Sequence, residues 1–276
     1  MNLKNWKYYN FGIIPNLAPN QNVDIKKEDI TSQISILNKI YFARWTSDFD
    51  SSSKTKFWYI IKDSFSGMDE LSSNTRSKVR RAFKSTYVKK VSREEILNNG
   101  FRVYNSAFDR YSTFTKKSSR EEFNSNIKKL SADYDFFGVY FSETKELIAY
   151  SQNKTFEDCV DYTTIKFNPK YLKYYPSYSL FYTMNEYYLS EKDFKFVSDG
   201  ARSIAHNTSI QDFLESKFKF RKAYCKLNIE YHKFFWILLM LARIFRAILK
   251  RIPLNIFRKL EVLQKQEDIR KSFITK

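Results

Sequence analysis

Side chains suited to proton transfer are concentrated in one short segment, which follows a β-prone run and precedes a helical one. Asp199, Arg202, Ser203 and His206 fall within eight residues. We predict that His206 is a general base, because an imidazole titrates near neutral pH, and that Asp199 orients it beside Ser203. The alternative is structural: Asp199 and Gly200 form a turn, and the histidine belongs to the loop before the next helix.

A second group of candidate residues is basic. Arg76, Arg80 and Lys84 recur every four residues, which places them on one face of a helix, and Arg81 adjoins them. Guanidinium groups match phosphate oxygens two at a time, so this stripe predicts recognition of a phosphate on a substrate or donor. A solvated helix face is the alternative interpretation.

Few other residues could support catalysis or bind a metal. Asp161 lies in a strand-like run, where it would act as a base through water or form the polar side of the strand. Cys159 and Cys225 lie in apolar runs, which indicates small buried side chains rather than nucleophiles or a disulfide. With two histidines and two cysteines in the chain, we expect no metal held by nitrogen and sulfur ligands. The five scattered glycines exclude a glycine-rich phosphate-binding loop.

The formal charge of +18 is concentrated in two segments of the 276-residue chain. Residues 71–93 hold eight basic and no acidic residues, and residues 232–276 hold eleven basic and three acidic ones. The rest of the chain is nearly neutral, which predicts two local basic surfaces with separate partners rather than a generally basic protein. The first 19 residues lack the apolar run of a secretory signal, so we expect a cytoplasmic protein.

The C-terminal basic segment also has a pronounced apolar character. Residues 234–242 form a run of nine apolar residues, which is too short to span a bilayer. A helix over 234–252 would place apolar side chains on one side and four basic ones on the other: Arg243, Arg246, Lys250 and Arg251. This pattern predicts peripheral binding to an anionic inner-membrane surface. The alternative is packing against the protein's own core or in a homodimer.

The remaining patterns predict the elements that position these residues. We divide the chain into an irregular lead-in (1–35), an N-terminal part (36–134), a strand-rich core (135–231) and an amphipathic helical tail (232–276). Alternating and helical patterns predict a hairpin over 41–63, a helix over 68–84, a strand over 86–91, helices within 92–114 and 119–130, strands at 136–141, 146–153 and 159–168, a helix at 177–188, a strand at 194–198, a helix at 209–217 and one long strand at 220–231.

This order of elements resembles the GNAT acyltransferase fold, and in particular its FemAB-like branch. Residues 136–140 with 146–150 resemble the hairpin at the start of the GNAT sheet. Residues 213–221 (FLESKFKFR) resemble the F-x-x-K-x-G-F-R turn near its end. Residues 71–84 resemble the FemAB-type helix with a K-x-R-x-x-I-R-R-A pattern. The resemblance covers roughly residues 40–231 and implies an α/β (α+β) fold: a mixed, mostly antiparallel sheet flanked by helices, here followed by the amphipathic tail.

The resemblance also implies an activity. Such an enzyme would transfer an acyl or aminoacyl group to an amine or hydroxyl of a cell-envelope glycan or its phosphate-bearing, lipid-linked precursor. The family's glycine-rich loop for acyl-CoA is absent from residues 168–179, but a helix still begins there. Its start predicts a donor-phosphate site formed by four residues: Lys170, Lys173, Ser177 and Tyr178. The family's general-acid tyrosine aligns with Glu215, so that role does not carry over.

Two alternatives to acyl-CoA-dependent transfer remain open at the level of sequence. In the first, the donor is an aminoacyl-tRNA, which the missing glycine loop and the extra basic charge favour. In the second, the protein is a non-enzymatic RNA-binding or scaffold protein on a GNAT-derived fold, with aromatic side chains available for base stacking.

Overall fold

A computed structural model describes residues 6–23, 30–32, 34, 35, 37–109, 116–204, 209–244 and 255–273. The chain forms two compact units. Unit 1 comprises Met1–Tyr59, Ala201–Thr208 and Lys222–Lys276, and unit 2 comprises Ile60–Gly200 and Ser209–Arg221. Both units are discontinuous in sequence, whereas the four segments expected from the sequence are continuous.

The strands, in chain order, are β1 (Trp6–Tyr9), β2 (Gly12–Pro15), β3 (Phe42–Ser47), β4 (Trp58–Lys62), β5 (Thr86–Val91), β6 (Tyr134–Phe141), β7 (Leu147–Thr155), β8 (Cys159–Phe167), β9 (Phe196–Ala201), β10 (Arg221–Tyr224) and β11 (Lys226–Tyr231). The α-helices are α1 (Ser73–Ser85), α2 (Arg93–Glu95), α3 (Phe101–Phe108), α4 (Arg120–Lys128), α5 (Pro176–Glu186), α6 (Ser209–Phe218), α7 (Lys233–Ile244) and α8 (Asn255–Arg270). A 3₁₀ helix spans Pro169–Tyr174, and π-helical turns span Ile96–Gly100 and Tyr187–Glu191.

The largest sheet has the strand order β10-β4-β9-β8-β7-β6-β5. Strands β5 to β8 form an antiparallel meander, and β9 joins β8 in parallel. This confirms the predicted mixed, mostly antiparallel sheet. Apolar and aromatic runs made β6 and β7 recognisable, because strands that are buried on both faces read as near-continuous apolar runs.

Helices cover both faces of this meander. Phe136 of β6 packs in a cluster with Ile96 and Phe123 on one face. The next residue, Phe137, contacts the rings of Tyr187 and Tyr188 on the other face, just after α5. The sheet is therefore buried on both sides. Helix α1 ends immediately before β5, and α5 follows β8 after the 3₁₀ helix.

Unit 1 is built around a smaller sheet with the order β1-β2-β3-β11. Its pairing brings Gly12 against Phe42, where a Cβ on the glycine would come within 2.6 Å of the phenylalanine ring. The core beneath it contains Phe42, Leu227 and Ile229 from strands, together with Leu239 of α7 and Ile269 of α8. Both C-terminal helices thus contribute to the core of unit 1 rather than forming a detached tail.

Three predicted elements differ from the structure. The expected hairpin over 41–63 does not form, because β3 pairs with β2 and β11 while β4 belongs to the larger sheet. The expected single strand over 220–231 is two strands in different sheets, which meet at the fully buried Cys225. The lead-in contains the β1–β2 hairpin. For β3, β4 and the two strands at 220–231, the pairing partners lie far away in sequence, so local patterns could not identify them. The β1–β2 hairpin is local, but its short strands show no clear period in the sequence.

None of the helices in the described part of the chain is long and apolar enough to cross a membrane.

Candidate active site

The most prominent irregularity of the larger sheet is the place where β8 and β9 separate. Their parallel pairing runs from Cys159–Phe196 to Asp161–Ser198. Beyond it, β8 continues along β7 to Phe167, while β9 runs on to Ala201 without further pairing to β8. The opening therefore lies at the carboxyl ends of two parallel strands, where open sheets bind ligands.

Two carboxylates stand at this opening, Asp161 on β8 and Asp199 on β9. Asp199 is partly exposed. Burial, and to a lesser extent the negative charge of Asp161, together raise the pKa of Asp199 from 3.8 to about 7. A carboxyl group that is half ionised near neutral pH is suited to accept a proton from a substrate.

The residue that follows Asp161 on β8, Tyr162, is uncharged and lies in the core. Tyr162 is buried, and its hydroxyl donates to Asn185 Oδ1 of α5 at 3.0 Å. Burial raises the pKa of Tyr162 well above its ordinary value, with additional contributions from Tyr188 and Asp199. Tyr162 therefore stays protonated. Its hydrogen bond holds β8 against α5, and it does not exchange a proton.

A β-bulge follows Tyr162 on β8. Gln152 of β7 pairs with Thr164 and Asn153 pairs with Tyr162, so Thr163 is the extra residue of β8. Its hydroxyl donates to the Gln152 carbonyl oxygen at 2.8 Å. In a bulge the extra residue is left out of the ladder and the strand bends, which here happens one residue after the two strands separate.

A second group of candidate functional residues lies at the start of α5, which follows β8 in the chain. Tyr175 precedes the helix in a left-handed conformation, with φ of 58°, and Pro176 occupies the first helical position. From α1, the Arg81 guanidinium lies 4.9 Å from the centre of the Tyr175 ring. The Lys78 amino group lies 5.8 Å from the same ring and 5.5 Å from that of Tyr178. The structure thus joins part of the predicted basic stripe to the predicted donor-phosphate site.

The backbone at this helix start offers few amide donors. Pro176 has no N–H, and the Tyr178 N–H donates to the Tyr175 carbonyl oxygen at 2.9 Å. These residues do not fit a pyrophosphate held by successive backbone amides, which is how glycine-rich loops hold coenzyme A. A phosphate would instead depend on the side chains of Lys78 and Arg81.

The other residues of the predicted phosphate sites are distributed around this centre. Tyr178 is buried, and its ring packs edge-on against Phe213 at 5.2 Å, so it supports the helix start. Ser177 is partly exposed beside it. The remaining members of both sets are wholly or partly exposed: Arg76, Arg80 and Lys84 on α1, and Lys170 and Lys173 on the 3₁₀ helix. Sequence reasoning missed Lys78, although its i, i+3 spacing from Arg81 was a usable signal.

The predicted catalytic residues are only partly described. His206 lies outside the described residues, so its role stays a prediction. Ser203 belongs to unit 1 and Asp199 to unit 2. Both cysteines are buried and neither forms a disulfide, as expected. Burial raises the pKa of both thiols, to about 12 for Cys225, which argues against either as a nucleophile.

Comparison with known proteins bears on the fold. No protein-family model matches the chain, and no curated protein matches it. A solved structure of FemX is similar over 71% of this chain and 73% of that one, with a TM-score of 0.51 and 12% identity. The solved structure of the C-terminal domain of a putative lysylphosphatidylglycerol synthetase from Agrobacterium fabrum is similar over 87% of this chain and 84% of that domain, with a TM-score of 0.51 and 10% identity.

The chain has a FemAB-like fold. This confirms the resemblance derived from the order of elements and from the α1 motif. At 10–12% identity the FemAB-like fold does not transfer residue roles, so the assignment of functional groups rests on the geometry at β8, β9 and α5.

Proposed function

We propose that this protein transfers an aminoacyl or acyl group to an amine or hydroxyl of a phosphate-bearing cell-envelope precursor. The observation that carries the proposal is Asp199, a partly exposed carboxyl with a pKa of about 7 where β8 and β9 separate. Direct transfer needs a base of this kind and no covalent enzyme intermediate.

In the proposed reaction the Asp199 carboxylate accepts the proton of the attacking amine or hydroxyl. A new C–N or C–O bond forms to the carbonyl carbon of the donor, and the bond from that carbon to the ester oxygen or thioester sulfur of the donor breaks. The leaving group then takes up a proton. The Asp161 charge keeps Asp199 basic enough for this task, because it disfavours a second negative charge nearby.

Phosphate recognition supports the choice of acceptor. Lys78 and Arg81 are held over Tyr175 and Tyr178, so two cations are positioned at the helix start without an acidic neighbour in the 71–93 segment. The name of the lysylphosphatidylglycerol synthetase domain describes an aminoacylated, phosphate-bearing lipid. An acceptor or donor of this chemical class suits the two cations.

The helix start favours an aminoacyl-tRNA over acyl-CoA as the donor. Pro176 and the internally bonded Tyr178 N–H reduce the backbone donors that a coenzyme A pyrophosphate requires. An RNA backbone is bound mainly through side-chain cations, which α1 supplies.

The proposal is tested by transfer of radiolabel into an envelope lipid extract, with bulk aminoacyl-tRNA and acetyl-CoA offered separately. We expect transfer from aminoacyl-tRNA, a rate that rises as the pH passes about 7, and a loss of about 100-fold or more in Asp199→Asn. Asp193→Asn, at an exposed carboxylate, is the matched control. Transfer from acetyl-CoA alone would contradict the donor assignment, and an Asp199→Asn variant as active as the control would contradict the site.

A further inference from the structure

Helix α7 is attached to unit 1 through one side only. The Phe235 ring stacks on Tyr41 with 5.2 Å between ring centres and lies 6.4 Å from Tyr231. Leu239, one turn further, is 3% exposed and belongs to the unit 1 core. These contacts fix the orientation of the helix, and therefore decide which side chains face outward.

The outward side of α7 is apolar. Phe234, Ile237, Leu238 and Leu241 are 62%, 52%, 42% and 48% exposed. Their spacing of three, one and three residues places them in a single stripe of the helix. Trp236 is also 48% exposed, but it lies on another side of the helix, next to Leu239 and α8. A contiguous apolar stripe of this size on a surface marks an interaction site.

The surroundings of the stripe are basic. Lys233 and Arg243 are exposed at the two ends of α7, and residues 232–276 carry a formal +8. Arg243 contacts Asp268 of α8 at 3.4 Å, and the +8 already includes this aspartate. Arg246, Lys250 and Arg251 continue the charge in sequence and lie outside the described residues.

We propose that the exposed stripe of α7 inserts into the headgroup region of an anionic lipid bilayer. An exposed apolar stripe of phenylalanine, isoleucine and leucine, with lysine and arginine nearby, is a composition that holds a helix in that region. Each nearby basic residue adds attraction to anionic lipids. A second copy of the chain is a poorer occupant, because pairing two stripes would bring together two segments of +8. The proposal is independent of the transferase activity.

The test is co-sedimentation of the full chain with vesicles of phosphatidylcholine alone and of phosphatidylcholine with 30% phosphatidylglycerol, about a physiological anionic fraction. The variant is Ile237→Ser/Leu241→Ser, whose changes are confined to exposed positions. The matched control is Leu37→Ser, at a leucine that is 93% exposed elsewhere in unit 1. Thermal melting verifies that each variant is folded, and sedimentation equilibrium without vesicles reports dimerisation.

We expect wild type and Leu37→Ser to bind the anionic vesicles, to lose binding as salt is raised, and to bind neutral vesicles weakly. The affinity of the double variant for the anionic vesicles should be at least about tenfold lower than that of wild type. Equal binding by the double variant and the control would overturn the proposal, as would equal binding to both vesicle types. A dimer that the double variant abolishes, without vesicle binding by wild type, would assign the stripe to a second copy and overturn it as well.

Discussion

Replacing Asp199 with asparagine should stabilise the protein while removing its proposed base. Asparagine has the same shape as aspartic acid and no charge to ionise. The folded state holds the pKa of Asp199 near 7, against 3.8 for an unperturbed carboxyl. Below about pH 4 the group is protonated in both states and costs nothing. As the pH rises from about 4 to about 7, the Asp199 carboxyl ionises in the unfolded chain but stays protonated in the folded one. The free energy of unfolding therefore falls over this pH window.

The size of the effect follows from the two pKa values. The difference between 3.8 and about 7 corresponds to at most about 4 kcal/mol. Because part of the Asp199 side chain reaches water, we expect about half of this, or ~2 kcal/mol, above pH 7. For a protein of this size, ~2 kcal/mol corresponds to a rise of about 4–8 °C in Tm.

Thermal and urea unfolding at pH 4 and pH 8 measure this difference. Asp199→Asn should match wild type at pH 4 and exceed it at pH 8, whereas the exposed Asp193→Asn control should show the same small effect at both. A stability gain that is equal at pH 4 and pH 8 would show that the gain does not come from ionisation, and would refute the electrostatic reasoning for the site.

Three further predictions concern other parts of the molecule. Glu70→Gln leaves the Lys62 ammonium, which is 2% exposed and 2.9 Å from the Glu70 carboxylate, without its counter-charge; urea unfolding should show a loss of about 3 kcal/mol. Gly138→Ala places a Cβ 2.8 Å from the Leu147 side chain, and thermal melting should show a destabilisation of about 1–3 kcal/mol. The two buried thiols have raised pKa values, so both should react with a disulfide reagent only after unfolding, which absorbance in native buffer and in urea will check.

Much of the site could be anticipated from sequence because its parts are local. Runs of apolar, aromatic and β-branched residues identified β6, β7 and β8, and the four-residue spacing on α1 identified the basic stripe. Asp199, Ser177 and Arg81 were each recognisable from neighbours within a few positions. The Asp161–Asp199 pair was not, because β8 and β9 come together only through parallel pairing across a helical connection.

The same distinction applies to the basic surfaces. The stripe on α1 is visible in the sequence, but only the packing of α1 beside α5 shows that Lys78 and Arg81 lie over Tyr175. The tail pattern predicted an amphipathic helix, but not which side would be buried. Phe235 and Leu239 contact the unit 1 core, and that contact leaves the other apolar stripe exposed.

The sequence by itself determined the local elements, the two concentrations of positive charge, the absence of a glycine-rich loop and the order of elements that resembles the FemAB-like fold. The tertiary structure alone decided which strands share a sheet, that β3 and β4 do not form a hairpin, and that Asp161 raises the pKa of Asp199. The physical reason is the distance along the chain over which each effect acts. Side-chain periodicity and capping act over a few residues, whereas strand pairing, burial and the interaction between two charges depend on residues that only the folded chain brings together.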